Sequence, residues 1–113
     1  MNYLGHYENL INSRINRTKL NCYFEVHHII PKSIGGTDEP DNLVKLTPEE
    51  HFIAHLLLHK IFKTNSLLEF AYYNMRQKYV GKKVQIRNNK QFGADRRQER
   101  KNPLQLRKKT EHF

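Results

Sequence analysis

The sequence predicts an α+β domain. Three observations carry that expectation: two short β-prone runs flanking a turn-rich loop, capped helical patterns after them, and too little apolar material for a larger architecture. The chain has 113 residues, 37% of them hydrophobic, with a mean hydropathy of −0.84. That bounds it to one small domain with an appendage and excludes a large enzyme with a separate cofactor fold. So small a core gains from an additional tie such as a metal or a nucleic acid.

At the N-terminus, Tyr3, Leu4, Tyr7, Leu10, Ile11 and Ile15 recur at steps of three and four, which predicts an amphipathic helix ending around Arg17. Residues 22–30 are rich in Tyr, Phe, Val and Ile and predict a strand that Pro31 ends. Residues 32–42 contain Gly35, Gly36, Asp38, Pro40, Asp41 and Asn42 and predict a loop. Residues 43–46 form a second strand, most economically paired antiparallel with the first. The run Thr47, Pro48, Glu49, Glu50 is a helix start with Thr47 as N-cap, Pro48 at the first helical position and Glu50 closing a capping box; this helix is expected to reach Phe62. Ser66 to Glu69 suggests another capping box, opening a helix through Tyr79 that Gly81 terminates.

Charge is unevenly spread. Lys and Arg number 20 against 11 Asp and Glu, but residues 1–75 carry net −1 and residues 76–113 carry net +10. The excess belongs to a basic extension, 81–113, with Arg76 and Lys78 just before it and Lys82, Lys83, Arg87, Lys90, Arg96 and Arg97 within it. Its interleaved Tyr79, Val84, Ile86, Phe92, Leu104 and Leu106 would let it order on a polyanionic partner. A solvated, solubilising tail is the alternative reading. The lone Cys22 forms no internal disulfide and no Cys-pair zinc knuckle, which suits an intracellular protein. No run approaches the length of a membrane span, and the first ten residues lack a secretory pattern.

Seven histidines remain to be explained. His51, His55 and His59 are spaced by four on the predicted helix, so each sits about 40° around the axis from the last. Two imidazoles so placed can grip one metal, although such a pair is as often incidental. His27 and His28 are adjacent on a strand and point to opposite faces, so one can face the helix and the other solvent or substrate. A pair of structural histidines in a hairpin is the alternative. Gly35 and Gly36 mark a turn, or a close approach of backbone to phosphate. Asn42 bonds its own loop, or pins the loop that follows His28.

Taken in order, Glu25 to Pro31, Gly35 and Gly36, Asp41 to Val44, and Thr47 to His55 resemble the motif of the HNH endonucleases across residues 23–59. The resemblance implies a ββα-metal (His-Me finger) core in residues 1–80, with flanking helices and the basic extension as a DNA-binding element. It makes His28 the general base that activates water and Asn42 the residue that orients the loop bearing it. His27, His51 and His55 become ligands of one divalent ion; His59 matches no position of the motif. Many phage and homing-type members have Asp where His27 stands, and the all-His set is similar to that of bacteriocin DNases. Mg²⁺ or Mn²⁺ would then serve in function, while three imidazoles also suit Zn²⁺, Ni²⁺ or Co²⁺.

The implied activity is hydrolysis of double-stranded DNA by a nicking or homing-type, phage-encoded endonuclease in the bacterial host cytoplasm. It leaves 5′-phosphate and 3′-hydroxyl ends and acts as a monomer or homodimer. A non-catalytic, metal-stabilised DNA-binding module and a secreted antibacterial DNase are the competing readings.

Overall fold

A computed structural model describes residues 1–17 and 20–101; of the basic extension, 102–113 lie outside the described residues. Helix α1, Tyr3–Ile15, is capped by the Asn2 side chain, which accepts from the Gly5 N–H at 2.9 Å. It ends short of Arg17, which is drawn instead to Glu50 and the Lys45 carbonyl. Strand β1, Glu25–His28, pairs antiparallel with β2, Leu43–Leu46, so that His27 lies opposite Val44 and His28 opposite Leu43. Between them, Lys32–Ile34 and Pro40–Asn42 each form one turn of 3-10 helix.

Helix α2, Pro48–Ile61, opens on the expected capping box: the Thr47 hydroxyl accepts from the Glu50 N–H, and the Glu50 carboxylate accepts from the Thr47 N–H. Glu50 also receives Arg14 and Arg17, which tie α1 to the start of α2. Burial alone would raise this carboxyl, but hydrogen bonds from Arg17, Arg14 and the Thr47 backbone outweigh it and bring it down to about 2.

The second half departs from expectation in two places. Helix α3 covers Ser66–Arg76, with Asn65 rather than Ser66 as N-cap, its side chain accepting from the Leu68 N–H at 3.1 Å. It does not continue to Tyr79. Strand β3, Gln77–Val80, instead pairs antiparallel with β4, Lys83–Ile86. Gly81, with φ of 65°, is first in a two-residue turn, the place where such hairpins require a glycine. Tyr79, Val80, Val84 and Ile86 are strand formers, and their pairing overrides the helical spacing of residues 66–79.

Helix α4, Asn89–Lys101, follows, its start fixed by reciprocal bonds between Asn88 and Gln91. The expected division at residue 81 thus falls inside the hairpin turn, and α4 returns to pack on α2 through Phe92 against Phe52.

The main core gathers Tyr7, Ile11, Val44, Leu46, Ala54, Leu58 and Leu68, from α1, β2, α2 and α3. A second cluster, Phe52, Tyr72 and Phe92, joins α2, α3 and α4. Helix α2 therefore lies at the centre with both sides covered, which holds its histidines against the β1–β2 hairpin. No helix among the described residues is long and apolar enough to cross a membrane.

Candidate metal centre and its surroundings

The alternation of β1 decides which histidine faces inward. His27 is 2% exposed and points at α2, whereas Val26 is 51% exposed on the other face. Four-residue spacing on α2 brings His51 and His55 to meet it. The ring centroids of the three lie 4.8 to 5.1 Å apart, and one nitrogen from each falls within 4.8 Å of the others. These are the residues that could hold a metal. Their chemistry fits one: Nδ1 of His55 is buried with no hydrogen-bond partner among the described residues. Burial and the neighbouring rings also hold His27 down to about 2 and His55 to about 4, so both are neutral and present lone pairs near neutral pH.

Two of the three rings are oriented from outside. The Tyr7 hydroxyl lies 2.8 Å from His27 Nε2 and donates to the Ile29 carbonyl at 2.6 Å. Nδ1 of His51 lies 2.9 Å from the Glu25 carboxylate. Glu25 also accepts from the Tyr23 hydroxyl at 2.6 Å and from Arg96 at 2.9 Å. Burial would raise the Glu25 carboxyl, but the bonds from His51 and Tyr23 and the Arg96 charge bring it down to about 2. Carboxylate and hydroxyl partners of this kind hold metal-ligating imidazoles in one orientation. Sequence reasoning assigned roles to neither Tyr7 nor Glu25. A signal existed for Glu25: it sits two residues before His27 and so shares its face of the strand.

His28 lies on the opposite face of β1 and borders the same cavity, of about 380 Å³, as His27, His51 and His55. Its Nε2 is 2.7 Å from Asp38, which also receives Lys32 at 2.8 Å. These two bonds hold the Asp38 carboxyl below its usual range.

Asn42 is 8% exposed and clamps the loop. Its Oδ1 accepts from the Ile30 N–H at 2.8 Å, and its Nδ2 donates to the carbonyls of Ile30 and Thr37 at 3.0 and 2.8 Å. Gly36 is required there because a Cβ would lie 1.7 Å from the Ile30 carbonyl oxygen, while Gly35 has φ of 101°. His59 stands apart from the cluster, stacked on Tyr72 with centroids 5.4 Å apart.

The cations named from sequence divide into two sets. Arg87 is turned inward, contrary to its expected place at a DNA surface: it is 8% exposed and donates to the carbonyls of Asn74, Met75 and Gln77 and to Asp95. It closes the C-terminal end of α3, where unpaired carbonyls favour a cation. Arg96 is held by Glu25, Arg97 by Glu49 at 2.5 Å, and Lys78 lies 3.5 Å from Asp95. Lys82, Lys83 and Lys90 are exposed, and Arg76 lies over the Tyr73 ring.

The HNH endonuclease family profile matches residues 15–51. Probable mobile endonuclease D of Enterobacteria phage T4 is 45% identical over 93 residues, which is 76% of this chain and 36% of that protein. Probable mobile endonucleases B and E of the same phage are 55% identical over 71 residues and 48% identical over 75; the matches cover 59% and 66% of this chain and 27% and 52% of those proteins. The chain thus spans between about a quarter and a half of the length of these relatives. No solved structure matches it. The profile match and the likeness to phage mobile endonucleases agree with three mutually facing histidines and a fourth, His28, lining one cavity: this chain carries a phage-type HNH endonuclease domain.

Proposed function

We propose that the chain hydrolyses phosphodiester bonds of double-stranded DNA as a metal-dependent nicking or homing-type endonuclease. The observation that carries this reading is the cavity on which three mutually facing imidazoles stand beside a fourth, His28, that lies outside the three-histidine group.

His27, His51 and His55 would hold one divalent ion, which when bound supplies positive charge to a phosphate and its leaving oxygen. His28 acts on water. With its Nε2–H donated to Asp38, its lone pair is on Nδ1, and the carboxylate favours the imidazolium formed when Nδ1 takes a proton. Asn42 keeps His28 in place by fixing both peptide groups of Ile30 two residues further on. The exposed Lys82, Lys83 and Lys90, with the half-buried Arg76, are the candidates for phosphate contacts. One metal and one base cut one strand, so a monomer nicks and a homodimer breaks both strands. Mg²⁺ or Mn²⁺ is proposed for the reaction, and the host cytoplasm, through a phage-encoded gene, as its setting.

A supercoiled plasmid tests this reading. Relaxation to open circles with Mg²⁺, Mn²⁺, Zn²⁺ or Ni²⁺, blocked by EDTA and lost in His28→Ala while metal and DNA binding persist, is expected. Intact plasmid with every ion, despite tight DNA binding, would leave a non-catalytic DNA-binding module.

A further inference from the structure

Hydrogen-bond bookkeeping around the three histidines shows more than their convergence. A tyrosine hydroxyl carries one proton. That of Tyr7 goes to the Ile29 carbonyl at 2.6 Å, since two acceptor oxygens that close need a hydrogen between them. Toward His27 the same hydroxyl can therefore only accept, and at 2.8 Å it meets Nε2. Nε2 of His27 must carry its ring proton, and its lone pair is on Nδ1. His51 is held the opposite way: its Nδ1 faces Oε1 of Glu25, a carboxylate that accepts, so Nδ1 carries the proton and the lone pair is on Nε2.

We infer that Tyr7 and Glu25 are positioning residues that impose mixed ligation, His27 binding the metal through Nδ1 and His51 through Nε2. The two anchors come from elements remote from the helix that bears the ligand pair. Tyr7 belongs to α1 and lies outside the 15–51 family match; Glu25 is itself held by Tyr23 and by Arg96 of α4. Helix α1 thus fixes one ligand directly, and α4 acts on His51 only through Glu25. A neutral imidazole has one ring proton, so fixing the tautomer before the ion arrives removes a competing state and favours binding.

The inference rests on the metal-centre reading above, and the experiment separates the two. The full chain, with ¹⁵N-labelled histidines, is titrated with Zn²⁺ by calorimetry and examined by long-range ¹H–¹⁵N correlation. The ring Hδ2 couples strongly to Nε2, two bonds away, and only weakly to Nδ1, three bonds away, so the spectrum identifies the metal-bound nitrogen of each histidine. The expected result is one Zn²⁺ per chain, with His27 protonated at Nε2 and bound through Nδ1, and His51 the reverse. Tyr7→Phe and Glu25→Gln are each expected to weaken Zn²⁺ binding about 10- to 100-fold. Tyr7→Phe should release the Nε2 proton constraint on His27 alone, and Glu25→Gln should perturb His51 alone.

Wild-type protein that binds Zn²⁺ with His27 through Nε2, or a folded Tyr7→Phe with unchanged affinity and unchanged His27 signals, overturns the inference and leaves the metal centre standing. Wild-type protein that binds no Zn²⁺, Ni²⁺ or Mn²⁺ overturns both.

Discussion

Replacing Asn42 probes the link between fold and catalysis most directly, because the hydrogen bonds of its side chain all go to loop backbone. Asn42→Ala removes three hydrogen bonds, to the Ile30 N–H and to the carbonyls of Ile30 and Thr37. At roughly 0.5–1.5 kcal/mol each in net terms, the loss is about 2–4 kcal/mol. For a domain of this size 1 kcal/mol corresponds to about 4–8 °C in Tm, so thermal denaturation should shift down by roughly 8–30 °C.

Asn42→Asp sharpens the test because it is isosteric. The bond from the Ile30 N–H survives, but an ionised carboxylate oxygen then faces two carbonyl oxygens at the 3.0 and 2.8 Å positions now bridged by N–H groups. At pH 7 the Asp variant should be no more stable than the Ala variant. Facing acceptors raises the folded pKa of the new carboxyl above its unfolded value, so its penalty is present at high pH and fades as pH falls toward the folded value. The Asp variant should therefore gain on the Ala variant between pH 7 and 5, where a protonated Asp can donate one bond. Both should nick DNA poorly while binding Zn²⁺ well, since the damage is to the loop after His28 and not to the three-histidine cluster. Circular dichroism melts at the two pH values, with calorimetry for Zn²⁺, provide the readings. An Asp variant that melts with wild type at pH 7 would refute the clamp.

Glu50→Gln keeps the capping-box acceptor but loses the ion pairs with Arg14 and Arg17, and should cost about 1–3 kcal/mol at pH 7. Because the folded carboxyl lies near 2 and its ordinary value is 4.5, that advantage of wild type is complete above about 4.5 and is lost as pH falls toward 2, which denaturant melts at stepped pH would follow. Gly36→Ala should destabilise more than Gly35→Ala: the first drives a Cβ into the Ile30 carbonyl, whereas the second meets open space and bears only the left-handed backbone cost of about 1–2 kcal/mol. Equal urea midpoints for the two would contradict the close approach. Lys82→Ala with Lys83→Ala should lower the slope of log affinity against log salt for a DNA duplex by about 1.8 if each lysine neutralises one phosphate; an unchanged slope would move the DNA surface off the hairpin tip.

The amino-acid order by itself determined the β1–β2 hairpin, the start of α2 and the histidines of the centre. Each is encoded by contacts between residues a few positions apart: turn formers in the loop, the Thr47–Glu50 box, four-residue spacing on one helix face, two-residue alternation on a strand. The β3–β4 hairpin was legible only through the Gly81–Lys82 turn, and the helical spacing before it masked that signal.

The tertiary structure alone decided what surrounds these pieces. That Tyr7 reaches His27, that Glu25 is shared by His51, Tyr23 and Arg96, and that Arg87 caps a helix instead of facing DNA depend on α1 and α4 packing against the centre. The physical reason is range. A positive charge or a hydroxyl has no intrinsic address in a sequence; its partner is chosen by which distant helix the burial of Ile11, Leu58 or Phe92 brings within hydrogen-bond reach.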